Sequence, residues 1–128
     1  MRYERLDNGM TLVTDEMDNI DSAAVGVWVR AGARSETAAE HGMAHFLEHM
    51  AFKGTARRSA TEISNAIEAV GGEINAATSH ETTAYHARVL SEDVPLAVDI
   101  LADILTAPAL SPDDIERERN VILQEIGA

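Results

Sequence analysis

The chain has 128 residues, of which 45% are apolar and 25% are charged, so it can bury one globular core but has no room for a second full domain. Its formal net charge of −12 argues against a nucleic-acid backbone or an anionic membrane surface as partner. The charge favours basic peptides, although an acidic surface also serves solubility alone. Cysteine is absent, so any metal must be held by nitrogen and oxygen.

The first half of the chain predicts three strands and two helices. Two short strands are expected within residues 3–14, on either side of an Asn-Gly pair that is typical of tight hairpin turns. The apolar run at 23–31 predicts a central strand. The stretch HGMAHFLEHM at 41–50 predicts a helix that ends near Phe52, and the spacing of apolar residues predicts a second helix over 61–70.

The second half predicts two strands followed by two helices. The strands, at 71–79 and 82–90, are joined by a short polar connection. Ser91 can cap a helix that ends near Pro108, and Ser111 precedes Pro112 at the start of a last helix that continues to the C-terminus. These elements lack a steady βαβ rhythm, which indicates an α+β fold with a mostly antiparallel or mixed sheet and helices packed on it.

Neither a membrane segment nor a targeting signal is expected in this chain. Its start, MRYERLDNGM, lacks the apolar core of a signal peptide, and no stretch approaches the roughly 18 apolar residues of a membrane span. A cytoplasmic location is therefore the default expectation. Residues 1–128 are predicted to form a single domain, and because the chain stops inside a helical pattern we expect that domain to be incomplete.

The segment HFLEH at 45–49 carries the first candidate chemistry. His45 and His49 lie one helical turn apart, with Glu48 on the same face of the predicted helix. Two such imidazoles can converge on one Zn²⁺, and the carboxylate can take a proton from the water that the metal activates. The pattern is the HxxEH signature of inverzincins. The alternative, histidines bonded only to the neighbouring acid, is disfavoured because buried titratable groups need a partner or a metal. His41, near the helix start, is expected to be a cap or to support a ligand.

A catalytic zinc ion usually has three protein ligands, so one more donor is needed. In the last predicted helix, Glu118 and Glu125 both fall on the apolar side, beside Ile122, where a shared cation would satisfy them. We rank Glu125 first as the third ligand, with Glu118 as a nearby supporting acid. Long acids that reach water from the edge of the apolar side are the alternative. The remaining histidines, His80 and His86, are assigned to strand surfaces.

Taken together, these segments resemble the zinc metallopeptidases of the insulinase, pitrilysin and mitochondrial processing peptidase family. The resemblance is carried by HFLEH at 45–49, ERERNVILQE at 116–125 and the 76-residue spacing from position 49 to position 125. It extends over nearly the whole chain through LDNGMTLV, VRAGARSE, HMAFKGT and GGEINAATSHETTAYHARVL. The resemblance implies the N-terminal part of a first metallopeptidase domain in a longer, two-halved subunit.

The resemblance also implies roles for particular residues. His45, His49 and Glu125 would bind one Zn²⁺, Glu48 would be the general base, and Glu118 would be an acid that assists catalysis. The resemblance further implies that the function is zinc-dependent endopeptidase activity on a peptide or unfolded protein, and the net charge of −12 favours a basic one.

A peptide-binding strand and further partners follow from the same resemblance. The segment from Ile74 through Asn75 and Ala76 matches the edge strand along which family members lay an extended peptide, with Asn75 contacting either the substrate or Glu48. The remainder of the subunit or a second homologous subunit would complete the substrate chamber. Two alternatives stay open, namely an inactive scaffold or interaction subunit of the same family, and a metal hydrolase that does not act on peptides.

Overall fold

Five strands form two antiparallel sheets in the structure, a computed structural model that describes residues 1–127. The smaller sheet is a hairpin of two strands, β1 (Arg2–Arg5) and β2 (Thr11–Thr14). The larger sheet has the order β3-β5-β4, with β3 (Ser22–Val29), β4 (Glu73–Thr78) and β5 (Thr83–Leu90). The predicted hairpin and the predicted strand pair after residue 70 are both confirmed.

The expectation that residues 23–31 form a central strand is wrong, because β5 pairs on both sides and β3 lies at an edge. The run is apolar apart from Arg30, a composition that is typical of strands buried on both faces. Instead, Val25 and Val27 lie partly buried on the inner face while Trp28 is 67% exposed on the outer face. Apolar composition alone does not distinguish a two-sided from a one-sided burial.

Four α-helices complete the part of the chain that the structure describes: α1 (Met43–Ala51), α2 (Ala60–Ala69), α3 (Val94–Thr106) and α4 (Pro112–Ile126). Short 3-10 turns occupy Ala33–Ser35, Ala38–Glu40 and Ser91–Asp93. The α+β class is confirmed. Within residues 1–127, none of the helices combines the length and the apolar character that crossing a membrane requires.

Two serine caps were predicted, and one of them forms. Ser111 starts α4, where its hydroxyl oxygen accepts the backbone N–H of Asp114 at 3.3 Å. The predicted cap at Ser91 is wrong, because its N–H and its hydroxyl both donate to the backbone oxygen of Asp21, at 2.7 and 2.8 Å. The helix expected there begins only at Val94, after a 3-10 turn.

The hydrophobic core lies between the inner face of β5 and the helices α2 and α3. Its most deeply buried members include Ile63, Ile67, Ala87, Ala97, Ile100, Leu101 and Ile104. They fall at helical spacing on α2 and α3, and the buried apolar residues of β5 alternate along the strand as Tyr85, Ala87 and Val89, so each element buries one face. This core fixes β4 and β5 in space, and these strands in turn support the site described below.

A charged cluster joins the loop after α1 to α3. Arg57 donates two hydrogen bonds to Asp99, at 3.0 and 3.2 Å, and Arg58 donates to Asp99 at 2.6 Å and to Asp103 at 3.1 Å. Asp103 is 5% exposed and also accepts the hydroxyl of Thr55 at 2.7 Å. The hydrogen bonds from Arg57 and Arg58 lower the pKa of Asp99 to about 2.

This low pKa predicts how stability depends on pH. A carboxyl whose pKa is depressed in the folded state stabilises the fold above its ordinary pKa, and this contribution disappears as the pH falls through the folded value. We expect the free energy of unfolding of the wild type to exceed that of Asp99→Asn above about pH 4. The difference should shrink as the pH falls toward about 2. Urea unfolding of both proteins at several pH values measures it, and a difference that stayed constant across this range would contradict the assignment.

Candidate metal centre

The helix α1 begins at a cap that the sequence did not reveal. The carboxylate of Glu36 accepts the backbone N–H groups of Gly42 at 3.0 Å and Ala44 at 2.6 Å, and these bonds lower its pKa. Gly42 has a φ of 88°, a conformation that glycine adopts readily, and this turns the chain into the helix. His41 therefore precedes α1 and is not its cap. Glu36 escaped the sequence analysis because it lies six and eight residues before the two groups it binds.

Three side chains from α1 and α4 converge on one point. The Nε2 atoms of His45 and His49 lie 3.1 Å apart. Oε2 of Glu125 lies 3.3 Å from Nε2 of His45 and 3.7 Å from Nε2 of His49. These three residues form a group that could hold a metal ion. The helical spacing of the histidines follows from the sequence, whereas the approach of Glu125 depends on how α4 packs against α1.

The donor set and its dimensions fit a zinc ion. Two ligands bound at about 2.0–2.2 Å in a tetrahedral arrangement lie roughly 3.3–3.6 Å from one another. The three separations of 3.1, 3.3 and 3.7 Å bracket that value. Two imidazoles and a carboxylate are also the donors that leave a fourth tetrahedral position open. The geometry thus requires little movement to accept the ion.

Glu118 stands behind His49. It is 6% exposed, and its Oε2 lies 2.8 Å from Nδ1 of His49. Burial favours its neutral form, but the hydrogen bonds with Lys53 and His49 outweigh burial and lower the pKa of Glu118. An ionised carboxylate can only accept, so Nδ1 of His49 carries the proton and Nε2 keeps its lone pair for a metal.

The burial expected for the two acids and for α1 needs correction. Glu118 is buried as predicted, but the side chain of Glu125 is 49% exposed, and Ile126 beside it is 74% exposed. Apart from its polar stripe, α1 is apolar in sequence, which predicts burial on all other sides, yet Met43 and Leu47 are 50% and 46% exposed. A helical wheel gives the direction of a side chain, but it does not show whether another element covers it.

Glu48 is held by a residue that the sequence analysis missed. The hydroxyl of Thr78, at the end of β4, donates a hydrogen bond to Oε2 of Glu48. The pKa of the neighbouring Tyr85 is raised by burial and by the charge of Glu48. The alternation of partly buried residues along β4 places Thr78 on the same face as Ala76, toward α1. Glu48 therefore sits between the histidine helix and the edge of the sheet.

The strand β4 lies at an edge of the three-stranded sheet, the position that the resemblance implies, and within residues 1–127 no strand pairs with its outer side. Ser79 donates its N–H to the oxygen of Thr82 at 2.8 Å, just past the end of β4. In an antiparallel pair, alternate residues bond to the partner strand, so Ala76, three residues before Ser79, points its N–H and C=O away from β5. The N–H of Ala76 is capped by Oδ1 of its neighbour Asn75, at 2.8 Å.

The two other candidate histidines are not part of the group around His45. His86 is exposed on β5, opposite Asn75, as expected. The assignment of His80 to a strand surface is wrong, because it lies in the turn between β4 and β5. Among residues 1–127, only one group of three or more potential ligands has the spacing needed for a metal, and it contains neither of them. The choice of an acid as the third donor is consistent with this arrangement.

The sequence profile described as Insulinase (Peptidase family M16) matches residues 11–128. The chain belongs to this family. It is 48% identical over 126 residues to an uncharacterized zinc protease of Streptomyces coelicolor, covering 98% of this chain and 28% of that protein. It is 52% identical over 124 residues to the mitochondrial-processing peptidase subunit beta of Saccharomyces cerevisiae, covering 97% of this chain and 27% of that protein.

Solved structures of two proteases share the fold. A protease from Helicobacter pylori superposes with a TM-score of 0.91 at 29% identity, covering 97% of this chain and 30% of that one. Pitrilysin gives a TM-score of 0.81 at 35% identity, covering 98% of this chain and 14% of that one. The chain thus corresponds to less than a third of the length of these relatives. Its fold is that of one segment of a peptidase of this family.

Proposed function

We propose that this chain is the zinc-binding catalytic segment of an endopeptidase, with His45, His49 and Glu125 as the ligands of a single Zn²⁺. The observation that carries the proposal is the convergence of two imidazole nitrogens and one carboxylate oxygen within 3.1–3.7 Å of one another. Relatives named zinc proteases, which match nearly the whole chain, support the choice of metal.

The surrounding residues supply the remaining steps of peptide hydrolysis. A zinc ion bound there would polarise the scissile carbonyl and increase the acidity of water. Glu48 acts as the general base, accepting a proton from the attacking water and passing it to the leaving amine. The Thr78 hydroxyl restricts the rotation of the Glu48 carboxylate, and Glu118 fixes the tautomer of His49 as an assisting acid.

The open edge of β4 is the proposed substrate site. An extended peptide can add to this edge as a further strand, and the outward backbone groups of Ala76 would pair with it once Asn75 releases the N–H. Backbone pairing demands little of the substrate side chains, so it selects weakly among sequences. The net charge of −12 would add a preference for basic peptides. The remainder of the subunit or a second homologous subunit would enclose the peptide.

Zinc stoichiometry tests the proposed ligands directly. We expect the purified 128-residue chain to bind about one Zn²⁺. His45→Gln should weaken zinc affinity by more than about 100-fold, because losing a ligand costs more than losing a residue that only hydrogen-bonds to a ligand. Metal content by mass spectrometry and competition with a chromophoric chelator provide the two measurements. The matched control is His86→Gln, which removes an exposed histidine of β5 outside the metal group.

The same measurement separates the proposed peptidase from an inactive scaffold of the family. A scaffold would hold no stoichiometric zinc in the wild type, and His45→Gln would then behave like the control. If His86→Gln lost as much affinity as His45→Gln, the metal would be bound elsewhere on the chain. Either result would overturn the assignment of the ligands.

A further inference from the structure

Lys53 is the only lysine in a chain that contains 22 acidic residues. It follows the end of α1 by two residues, and its Nζ lies 2.8 Å from Oε1 of Glu118. Arg117, which precedes Glu118 in the sequence, is 2.6 Å from a carboxylate oxygen of Asp114. This single lysine is thus paired with the most buried glutamate, since Glu118 is 6% exposed.

The two oxygens of Glu118 have different partners. Oε1 is paired with Lys53, while Oε2 is paired with Nδ1 of His49, also at 2.8 Å. A carboxylate held at both oxygens cannot rotate about its terminal torsion without losing one of the two contacts. Lys53 lies just past α1 and Glu118 lies on α4, so the ion pair also joins the two helices that carry His49 and Glu125.

We propose that Lys53 is a positioning residue for the metal centre, which holds the Glu118 carboxylate against His49 and keeps α4 in register with α1. The inference rests on the proposed function. An ion pair between exposed side chains would contribute little, but this pair involves a carboxylate that is nearly inaccessible to water. Without the ammonium group, Oε1 of Glu118 would lose the contact that holds it, the carboxylate would be free to rotate away from His49, and the ring of His49 would no longer be fixed for the ion.

The test compares zinc affinities of the full 128-residue chain by chelator competition. We expect Lys53→Met to weaken zinc binding by about tenfold or more, as is usual when a residue that supports a metal ligand through hydrogen bonds is lost. Lys53→Arg keeps a cation within reach and should restore most of the affinity. The matched control is Arg119→Met, which removes one positive charge from the exposed Arg119–Glu116 pair of α4 and should leave the affinity unchanged.

A double-mutant cycle shows whether Lys53 acts through Glu118. If it does, Lys53→Met should change zinc affinity by less than about twofold in a Glu118→Gln background, because the two effects are not additive for groups that act as one unit. Equal affinity of Lys53→Met and wild type would overturn the inference, and so would full additivity in the double variant. The proposed function fails if the wild type does not bind zinc. The inference about Lys53 fails on its own if the wild type binds zinc and Lys53→Met binds it equally well.

The orientation of His49 gives a second measurement that needs no metal. In the metal-free wild type, long-range ¹H–¹⁵N spectra should show the proton of His49 on Nδ1, facing Glu118. In Lys53→Met the two tautomers should be mixed, whereas Lys53→Arg should resemble the wild type. Circular dichroism checks that each variant is folded. If Lys53→Met does not fold, Lys53→Gln replaces it, and an unchanged His49 spectrum in the folded variant would overturn the inference.

Discussion

Glu48→Gln is expected to bind zinc as tightly as the wild type and to hydrolyse peptides roughly 10²–10⁴-fold more slowly, the usual contribution of a general base. The glutamine side chain has the same shape and keeps an oxygen that can accept the Thr78 hydroxyl, so the local structure should be preserved. It cannot accept a proton from water. Because the three proposed ligands are unchanged by this substitution, the zinc affinity should stay the same while the rate of peptide hydrolysis falls.

The measurement is hydrolysis of a quenched basic peptide by the chain, alone and together with the remaining part of a subunit of the family. The matched control is Glu68→Gln, which removes an exposed carboxylate of α2 and should leave the rate unchanged. Loss of zinc in Glu48→Gln would place this acid among the ligands. An unchanged rate with zinc retained would remove it from the chemistry.

The parts of the site that local geometry determines could be predicted from the sequence. Residues four apart on a helix face the same side, so His45 and His49 were expected to converge before any tertiary structure was known. Ser111 and Pro112 likewise mark the start of α4 by interactions within one turn. The convergence of Glu125 on these histidines is not local, because 76 residues separate it from His49. Its position on the apolar side of the last predicted helix suggested it as a ligand, and the resemblance to the family supported that choice.

Two of the residues that the sequence analysis missed, Thr78 and Lys53, contact distant segments of the chain. Thr78 reaches Glu48 from β4, 30 residues away, and Lys53 reaches Glu118 from the loop after α1. A threonine on a strand and a lysine in a loop are ordinary in composition, so periodicity gives no reason to select them. A usable signal existed for Lys53, since it is the only lysine of the chain and follows His49 by one helical turn.

The wrong predictions about the fold concern burial, that is, which faces of β3 and α1 are covered by other elements. The inner face of β3 and the outer part of α1 border an apolar groove, which includes Val27, Leu47 and Val98. Burial is a property of neighbouring elements, so a run such as residues 23–31 predicts a strand correctly and its place in the sheet wrongly. The metal centre is less sensitive to this error, because its geometry depends on α1, α4 and β4.

Ile100→Ala should lower the free energy of unfolding by about 2–5 kcal/mol, the range for removing a large aliphatic side chain from a packed core. Ile100 is fully buried at 0% exposure on α3, within the cluster that packs against β5. Val98→Ala is the matched control, since Val98 lies two residues away on the same helix and is 49% exposed. Its effect should stay within about 0.5 kcal/mol. Urea unfolding of the metal-free chain measures both.

Zinc binding should add to the stability that this core provides. If the ligands converge only in the folded chain, zinc at 100 times its dissociation constant should stabilise the wild type and Ile100→Ala equally, by about 2.7 kcal/mol. The metal should give no such gain to His49→Gln, which lacks a proposed ligand although its core is intact. Equal stabilisation of His49→Gln would mean that zinc binds outside the centre. A smaller gain in Ile100→Ala would mean that α3, although it contributes no proposed ligand, helps to set the spacing of the histidines and Glu125.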